Sequence, residues 1–207
     1  AQQMKVLPGA GINLDEYPYV PMKDDGVCSF LFVGRIMKEK GVDEFFTAAK
    51  TIKAEFGEKV AFDVVGFYED AYKGTVDQLV ADSVIKFHGF QTDVHPFYEA
   101  ADCVVLPSYH EGMSNVLLEG AATGRTLITS DIPGCREAVE NGVSGYLCPA
   151  QDAEGLTQAM RDFAQQSFDR QVQMGQSGRA LVERKFDKQL VVAKTLDGLG
   201  LPAAVRN

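Results

Sequence analysis

The sequence predicts an α/β domain, in which a parallel sheet of about six strands carries helices on both faces. Short apolar runs alternate along the chain with longer segments whose apolar residues recur at helical spacing. Such alternation is typical of βαβ units, whose strands pair in parallel and whose helices cover the sheet. The 207 residues, 45% of them hydrophobic, are also sufficient for one sizeable core. Together these features predict a Rossmann-like fold.

The predicted elements follow one another in regular order. The first strand, VCSFLFVG, is continuously apolar and ends in glycine, as expected of a strand buried on both faces. Strands are predicted at 27–34, 60–66, 84–90, 102–108, 126–131 and 145–149. Helices are predicted at 41–57, 68–82, 93–101, 114–124 and 134–141, and again from 152 onward with breaks near Gly175 and Gly178.

Composition suggests where the domain begins and ends. Residues 1–26 are punctuated by Pro and Gly and show little periodicity, which predicts an interdomain linker-like segment. Residues 27–199 would form the domain, and 200–207 a frayed tail. The first residue is Ala1 rather than Met, so we expect a fragment or a processed chain.

Charge and cysteine content limit the classes of partner. The formal net charge of −9 argues against nucleic acid, which requires a clustered basic surface. The four cysteines form no Cys-x-x-Cys pair, which predicts free thiols in a reducing compartment and no zinc site. No apolar run reaches the length of a membrane span, and no signal peptide is recognisable. We therefore expect a cytoplasmic protein, with peripheral contact at the inner face of the membrane left open.

The loop after the first predicted strand, GRIMKEKG, is the first candidate site. Gly34 would let the backbone approach a ligand, and Arg35 and Lys40 place cations on a short loop before a helix. Neither a dinucleotide fingerprint nor a P-loop is present. The loop nevertheless combines a glycine, clustered cations and a helix N-terminus, and this combination suits a diphosphate. The alternative is a solvated turn with surface lysines.

The second candidate site is SYHEGMSNVLLEG, in which Glu111 and Glu119 lie eight residues apart. Ser114 is a suitable N-cap, so Glu111 would precede a helix and Glu119 would lie about one turn into it. Backbone amides near the helix start suit an anion, and carboxylates accept hydrogen bonds from paired hydroxyls. This pattern fits a sugar nucleotide. The alternatives are a helix-surface glutamate at position 119 and simple capping by Glu111.

At these residues the chain resembles a known family. The segments FVGRIMKEKGVDEF and ADCVVLPSYHEGMSNVLLEGAATGRTLITSDIPGCREAVENGVSGYLC are similar to the nucleotide-binding half of retaining GT-B glycosyltransferases of family 4, the glycosyltransferase group 1 domain. The resemblance covers about residues 6–195, and two motifs match in content, order and separation. It implies the C-terminal lobe of a GT-B fold and a chain that lacks the N-terminal, acceptor-binding lobe.

The resemblance also implies roles for individual residues. Arg35 and Lys40 would hold the donor diphosphate and stabilise the leaving nucleotide, Glu111 would lie near the donor sugar, and Glu119 would bind the ribose hydroxyls. The turn 88–90 would lie near the base. The implied catalytic residues are Arg35, Lys40 and Glu111. The implied donor-binding residues are Gly34, Phe90, Gly112, Met113, Ser114, Asn115, Val116 and Glu119.

The implied activity is transfer of a sugar with retention from a nucleotide diphosphate sugar to a saccharide or lipid-linked acceptor. A UDP-sugar is the first expectation for the donor and a GDP-sugar the second. No cofactor and no metal are expected, because the protein supplies the cations and has no Asp-x-Asp pair. The principal alternative is a nucleotide-sugar-binding module without transferase activity, and a weaker one is an epimerase or phosphorylase of related fold.

Several residues have simpler interpretations. The chain departs from the family at VVGFYED, where a Gly-x-Gly-Pro-like turn is usual and only Gly66 remains. The three histidines show neither Ser-His-Asp nor metal spacing, although His110 adjoins Glu111. Glu137 is expected to be a structural residue in a first helical turn, and Tyr98 a core or surface aromatic.

Overall fold

Six parallel strands form one sheet in the order β3-β2-β1-β4-β5-β6. The computed structural model describes residues 9–198, and the structural statements that follow concern that range. Every neighbouring pair of strands is parallel. The strands are β1 Cys28–Val33, β2 Val60–Val65, β3 Lys86–Phe87, β4 Cys103–Leu106, β5 Thr126–Ser130 and β6 Gly145–Cys148. The predicted fold class, a Rossmann-like parallel sheet of six strands, is confirmed.

Helices cover both faces of this sheet. Helix α1 packs beside α5, whereas α3 and α6 pack against α4. The helices are α1 Val42–Phe56, α2 Lys73–Ala81, α3 His95–Ala100, α4 Asn115–Thr123, α5 Ala153–Ala164, α6 Phe168–Lys185 and α7 Lys188–Gly198. The central strands are buried throughout their length or nearly so, as predicted from their continuous apolar sequences.

Two predicted features of the helices are wrong. Residues 134–141 form only a short 3-10 turn at Arg136–Ala138, because Gly134 is held against the loop that contains Gly112. Helix α6 continues through Gly175 and Gly178, where a break was expected. A side chain at position 175 would meet the carbonyl oxygen of Gly124, so this glycine permits close helix packing rather than ending the helix.

Residues 9–26, the described part of the predicted linker, lie against the domain. Their only strand-like pairing is an isolated bridge between Ile12 and Asp187. Further along, the Val20 amide donates to the Thr123 carbonyl over 3.1 Å, and Met22 is buried. The segment is therefore irregular, and it is docked onto α4, α6 and the start of α7. The predicted tail at 200–207 lies outside the described residues.

Arg125 ties this segment to the sheet from a fully buried position. Its guanidinium donates to the carbonyl oxygens of Ala101 (2.8 Å), Thr123 (3.1 Å) and Val20. A buried cation needs acceptors for its donors. These carbonyls serve the two terminal nitrogens of Arg125, whereas its buried Nε atom has no hydrogen-bond partner within residues 9–198. Arg125 thus joins the residues just before β4, the end of α4 and the N-terminal segment.

Candidate functional site

Strand order reverses between β1 and β4, and both candidate motifs lie at the carboxyl ends of these two strands. In open α/β sheets, ligands bind in the crevice at this reversal, because the adjacent crossovers leave to opposite faces. Residues 34–41 follow β1 and residues 107–114 follow β4. The topology therefore brings the two predicted motifs together at one edge.

A glycine allows the two loops to touch. Gly41 has a positive φ of +69°, and a Cβ atom there would lie 1.9 Å from the carbonyl oxygen of Pro107. The Tyr109 amide also donates to the Glu39 carbonyl over 2.9 Å. Gly34, at the start of the first loop, donates its amide to the Val65 carbonyl over 2.9 Å. The first loop is thereby fixed against the second immediately before α1 begins.

Lys40 and Glu111 meet across this contact. The Nζ atom of Lys40 lies 2.6 Å from Oε1 of Glu111, and both side chains are largely shielded from solvent. The Ser108 hydroxyl donates to the same oxygen over 2.8 Å. The second carboxylate oxygen of Glu111 takes no part in either of these two contacts.

Arg35 lies on the exposed side of the same loop. Its guanidinium carbon stands 5.2 Å from the centre of the Phe67 ring, a cation–π distance. No carboxylate of residues 9–198 forms an ion pair with it. Phe67 and Phe90 are both largely exposed, and their ring centres are 6.5 Å apart. The edge thus offers an unpaired cation beside two aromatic faces.

The N-terminus of α4 supplies backbone donors. Ser114 caps the helix, accepting from the Leu117 amide over 3.4 Å, and its own amide donates to the Gly134 carbonyl over 3.1 Å. The amides of Asn115 and Val116 fall in the first turn, where a helix has no acceptors of its own. Met113 is half-buried and Gly112 exposed in the loop before the cap. These amides and the helix dipole favour an anion.

Glu119 occupies the second turn of α4 and is half-buried rather than on the helix surface. The fully buried Tyr98 donates its hydroxyl to Oε2 of Glu119 over 2.8 Å. Burial and then the charge of Glu119 raise the pKa of Tyr98 well above its usual value. Burial, followed by Glu119, likewise raises the pKa of Tyr17 to about 12. Both tyrosines are therefore neutral donors at physiological pH.

Four of these neighbours were not predicted from the sequence: Tyr17, Phe67, Tyr98 and Ser108. Tyr98 was expected only to be a core or surface aromatic, and its contact with Glu119 joins residues 21 positions apart in the chain. Tyr17 falls in the segment without periodicity and carries no local signal. Phe67 stands in the stretch that departs from the family, directly after Gly66. Ser108 could have been noted from its place at the end of the β4 run.

The remaining candidates, His88, His110 and Glu137, make other contacts or none recorded with the residues above. The His88 ring is 2.6 Å from Asp63, and its carbonyl accepts from the Gln91 side chain over 2.7 Å, so the turn before Phe90 is held on two sides. His110 is exposed and next to Glu111. Glu137 accepts from the Gly134 amide over 2.8 Å, which supports the structural role expected of it.

Within residues 9–198 there is neither a disulfide nor a metal-type group of side chains. All four cysteines are free, and three of them are buried. Burial raises the pKa of the Cys135 thiol to about 11. Within residues 9–198, no three His, Cys, Asp or Glu side chains are grouped as metal ligands, and no helix has the length and apolarity of a bilayer span.

The arrangement as a whole is suited to a polar, anionic ligand that carries hydroxyl groups. Two cations and the α4 amides attract negative charge, whereas Glu111 and Glu119 accept hydrogen bonds from neutral donors. A single phosphate would use only the first set. A ligand with both phosphate and polyol parts would use both.

Comparison with curated proteins gives relatives with similar sequences over most of this chain. Glycogen synthase from Mycobacterium tuberculosis is 30% identical over 192 residues, which cover 89% of this chain and 45% of the relative. The N,N'-diacetylbacillosaminyl-diphospho-undecaprenol alpha-1,3-N-acetylgalactosaminyltransferase of Campylobacter jejuni is 28% identical over 156 residues, 75% of this chain and 38% of that protein. The chain thus spans less than half the length of these relatives.

Solved structures share the fold. Anabaena HepE in complex with UDP superimposes with a TM-score of 0.76 at 18% identity, over 92% of this chain and 56% of HepE. The C-terminal domain of the group 1 glycosyl transferase LpcC from Francisella tularensis superimposes with a TM-score of 0.73 at 23% identity, over 86% of this chain and 99% of that domain.

A family model described as glycosyl transferases group 1 matches residues 28–166, which include both loops of the candidate site. The match extends from the first residue of β1 to just beyond α5 and so contains the whole sheet. It covers well over half of the chain. The chain therefore belongs to the glycosyl transferases group 1 family.

Proposed function

We propose that this chain is the C-terminal, donor-binding lobe of a retaining GT-B glycosyltransferase of family 4. The observation that carries the proposal is the Lys40–Glu111 contact at the reversal of strand order, beside the N-terminus of α4 and the unpaired Arg35. This edge matches a nucleotide diphosphate sugar in charge and in hydrogen-bonding capacity. The whole enzyme would transfer the sugar to a saccharide or lipid-linked acceptor.

Each residue has a role in this proposal. Arg35 and Lys40 bind the diphosphate, together with the amides of Asn115 and Val116. Glu111 accepts a hydrogen bond from a hydroxyl of the donor sugar, and Glu119 binds the ribose hydroxyls. The Gly89–Phe90 turn, fixed through His88 and Gln91, lies beside the base.

The chemistry explains why cations are needed at this place. Breaking the anomeric bond leaves a nucleoside diphosphate with growing negative charge. Fixed cations and amides stabilise that charge without reorganising during the reaction, and stabilisation of this kind commonly accounts for most of the rate enhancement. Arg35 offers two parallel donors to phosphate oxygens, whereas Lys40 acts as a point charge held in place by Glu111.

The similarity of the chain to a single domain, and to only part of longer relatives, supports the proposal that it is one lobe of an enzyme. LpcC, which is described as a C-terminal domain, is covered almost completely, while the curated relatives are more than twice as long as their matched regions. A second lobe would supply the acceptor site, and the enzyme would act in the cytoplasm, with its acceptor at the inner face of the membrane if that acceptor is lipid-linked. The alternative is a nucleotide-sugar-binding module without transferase activity of its own.

The direct test is isothermal titration of the 207-residue chain with UDP, GDP and ADP in the absence of metal. Since HepE was solved with UDP, we expect saturable binding of UDP, with GDP as the second choice. Arg35→Ala should weaken diphosphate binding, and Lys50→Ala, an exposed cation on α1, is its matched control. Absence of binding to all three nucleotides would contradict the proposal. Sugar transfer by the full-length gene product would separate the enzyme from the binding module.

A further inference from the structure

The parallel pairing of β1 with β2 continues into the loops that follow both strands. The Ile36 amide donates to the Phe67 carbonyl over 2.9 Å, and Ile36 forms an isolated parallel bridge with Tyr68. This bridge keeps the register of the two strands, so Arg35 and Phe67 are direct cross-strand neighbours. Side chains in such positions lie within reach of each other, because the backbone pairing sets their separation.

Two glycines allow the loops to come this close. A Cβ atom at Gly66 would lie 1.9 Å from the carbonyl oxygen of Gly34, so a larger residue at position 66 would force the loops apart. On its other side, the Gly66 amide donates to the Gly89 carbonyl over 2.9 Å. The backbone from which the Phe67 side chain extends is therefore fixed to both neighbouring loops.

The ring of Phe67 contacts the guanidinium of Arg35 and leaves its charge unneutralised. The guanidinium carbon lies over the ring, 5.2 Å from its centre. A carboxylate in that place would accept from the N–H donors and neutralise the charge, whereas an aromatic ring contacts only the flat face of the group. The N–H donors lie in the plane of the guanidinium, so they stay available to the oxygens of a ligand beside the ring.

Both side chains are exposed, so core packing does not hold either of them in place. An exposed arginine has considerable rotamer freedom, and a ligand that binds it must overcome the loss of that freedom. Attraction to a ring on a fixed backbone restricts the side chain before the ligand arrives. The arrangement thus prepares Arg35 for an anion at the carboxyl end of β1.

We propose that Phe67 is a positioning residue for Arg35, whose guanidinium it holds at the edge of the site with the N–H donors free for a diphosphate. The inference rests on the proposed function, in which Arg35 binds the donor diphosphate. Phe67 stands in the stretch where the chain departs from the turn usual in the family. The departure therefore has a function, which is to orient the cation on the neighbouring loop.

The experiment compares UDP with uridine on the 207-residue chain, by titration with UDP and by displacement of UDP with uridine. Phe67→Leu removes the aromatic face and keeps an apolar side chain, and Phe67→Tyr restores the face. Arg35→Ala and the double variant Arg35→Ala/Phe67→Leu complete a double-mutant cycle, which reports whether one residue acts through the other. Val80→Ala, at an exposed apolar residue on α2, is the control for a general effect of lost apolar surface.

We expect Phe67→Leu to weaken UDP binding about 2- to 5-fold, as for loss of one exposed cation–π contact, and to leave uridine binding unchanged. Phe67→Tyr and Val80→Ala should bind UDP as the unmodified chain does. In the Arg35→Ala background, Phe67→Leu should cause no further loss, because the residue through which it acts is already absent.

Three results would overturn the inference. Equal losses for UDP and uridine in Phe67→Leu would mean that the ring contacts the nucleoside rather than orienting the cation. An undiminished effect of Phe67→Leu in the Arg35→Ala background would mean that it does not act through Arg35. A loss in Phe67→Tyr as large as that in Phe67→Leu would show that the aromatic face is not what matters.

The outcomes also separate this inference from the proposed function. If Arg35→Ala keeps the full UDP affinity, the role proposed for Arg35 fails and the inference fails with it. If Arg35→Ala loses affinity while Phe67→Leu keeps it, only the positioning role of Phe67 fails. Lack of nucleotide binding by the unmodified chain would overturn both.

Discussion

The Lys40 ammonium lies 2.6 Å from the Glu111 carboxylate, although the two residues are 71 positions apart in the chain. One follows β1 and the other follows β4, and these strands are neighbours at the centre of the sheet. The contact therefore holds together the two loops of the candidate site. Its charges are largely shielded from water, so loss of either partner leaves the other poorly compensated.

Replacement of Lys40 by alanine tests the phosphate role. We expect UDP binding to weaken about 10- to 100-fold, in the range of a charged hydrogen bond, while uridine binding changes much less. Titration of both ligands measures the difference. Lys50→Ala removes an equal charge from the exposed face of α1 and should change neither affinity. Equal losses for UDP and uridine in Lys40→Ala would rule out a phosphate contact.

Gly41→Ala should destabilise the domain. The residue has a φ of +69°, and its new methyl group would meet the backbone of Pro107, which cannot move as a flexible side chain would. We expect a loss of more than about 1 kcal/mol in the free energy of unfolding, measured with urea. In Gly74→Ala, the methyl group enters open space on α2, so that variant should gain up to about 1 kcal/mol. Similar effects in both variants would disprove the close contact of the loops.

Arg125→Met should release the N-terminal segment from the sheet. The substitution keeps most of the apolar stem but removes the Arg125 donor from the Ala101, Val20 and Thr123 carbonyls, of which only Thr123 keeps another recorded donor, the Val20 amide. We expect a loss of about 2–4 kcal/mol in the free energy of unfolding. Arg136→Met, at an exposed ion pair with Asp131, should cost less than about 1 kcal/mol. If the two variants lose the same stability, Arg125 is not an anchor.

Stability should depend on pH through His95. The hydrogen bond to Asp93 raises the pKa of His95 in the folded protein, with a further contribution from the Glu16 carbonyl. The stabilisation is therefore complete below the unfolded value of about 6.5 and is lost as pH rises through the folded pKa. Because the ring is partly exposed, the effect is modest.

The measurement is the Tm of unfolding between about pH 5.5 and 8.5, a range that brackets the ordinary histidine pKa. In the unmodified chain, we expect Tm to fall across the upper part of this range more than it does in His95→Gln. Asp93→Asn removes the partner and should flatten the same part of the profile. If the dependence of Tm on pH is identical in all three proteins, the His95–Asp93 hydrogen bond is not its cause.

The sheet could be predicted from the sequence because each central strand is marked by its own continuous run of apolar residues. Phe30 and Val104 stand in apolar runs that can be buried only between two layers of helices. The start of α4 was equally clear, since Ser114 is a capping residue by chemistry alone. These features depend on local sequence, and local sequence is sufficient to specify them.

Features that depend on distant contacts were not predicted. The helix expected near Gly134 does not form, because its backbone is used to hold the loop at Gly112. Gly175 resembles a helix break in sequence but serves the approach of α6 to Gly124. Tyr17 packs against His95 and Tyr98 only because its segment docks on α3 and α6, and no periodicity in residues 1–26 could have revealed this packing.

The separation of the two loops along the chain also has a kinetic consequence. Pairing of β1 with β4 must close a loop that contains β2, β3 and the helices between them. Closing such a long stretch is slow compared with forming a helix or a hairpin, because chain entropy is lost before the contacts form. Nucleotide binding should therefore appear late during refolding, after most of the helical signal has been recovered, so that a fluorescent nucleotide analogue would report assembly of the sheet centre.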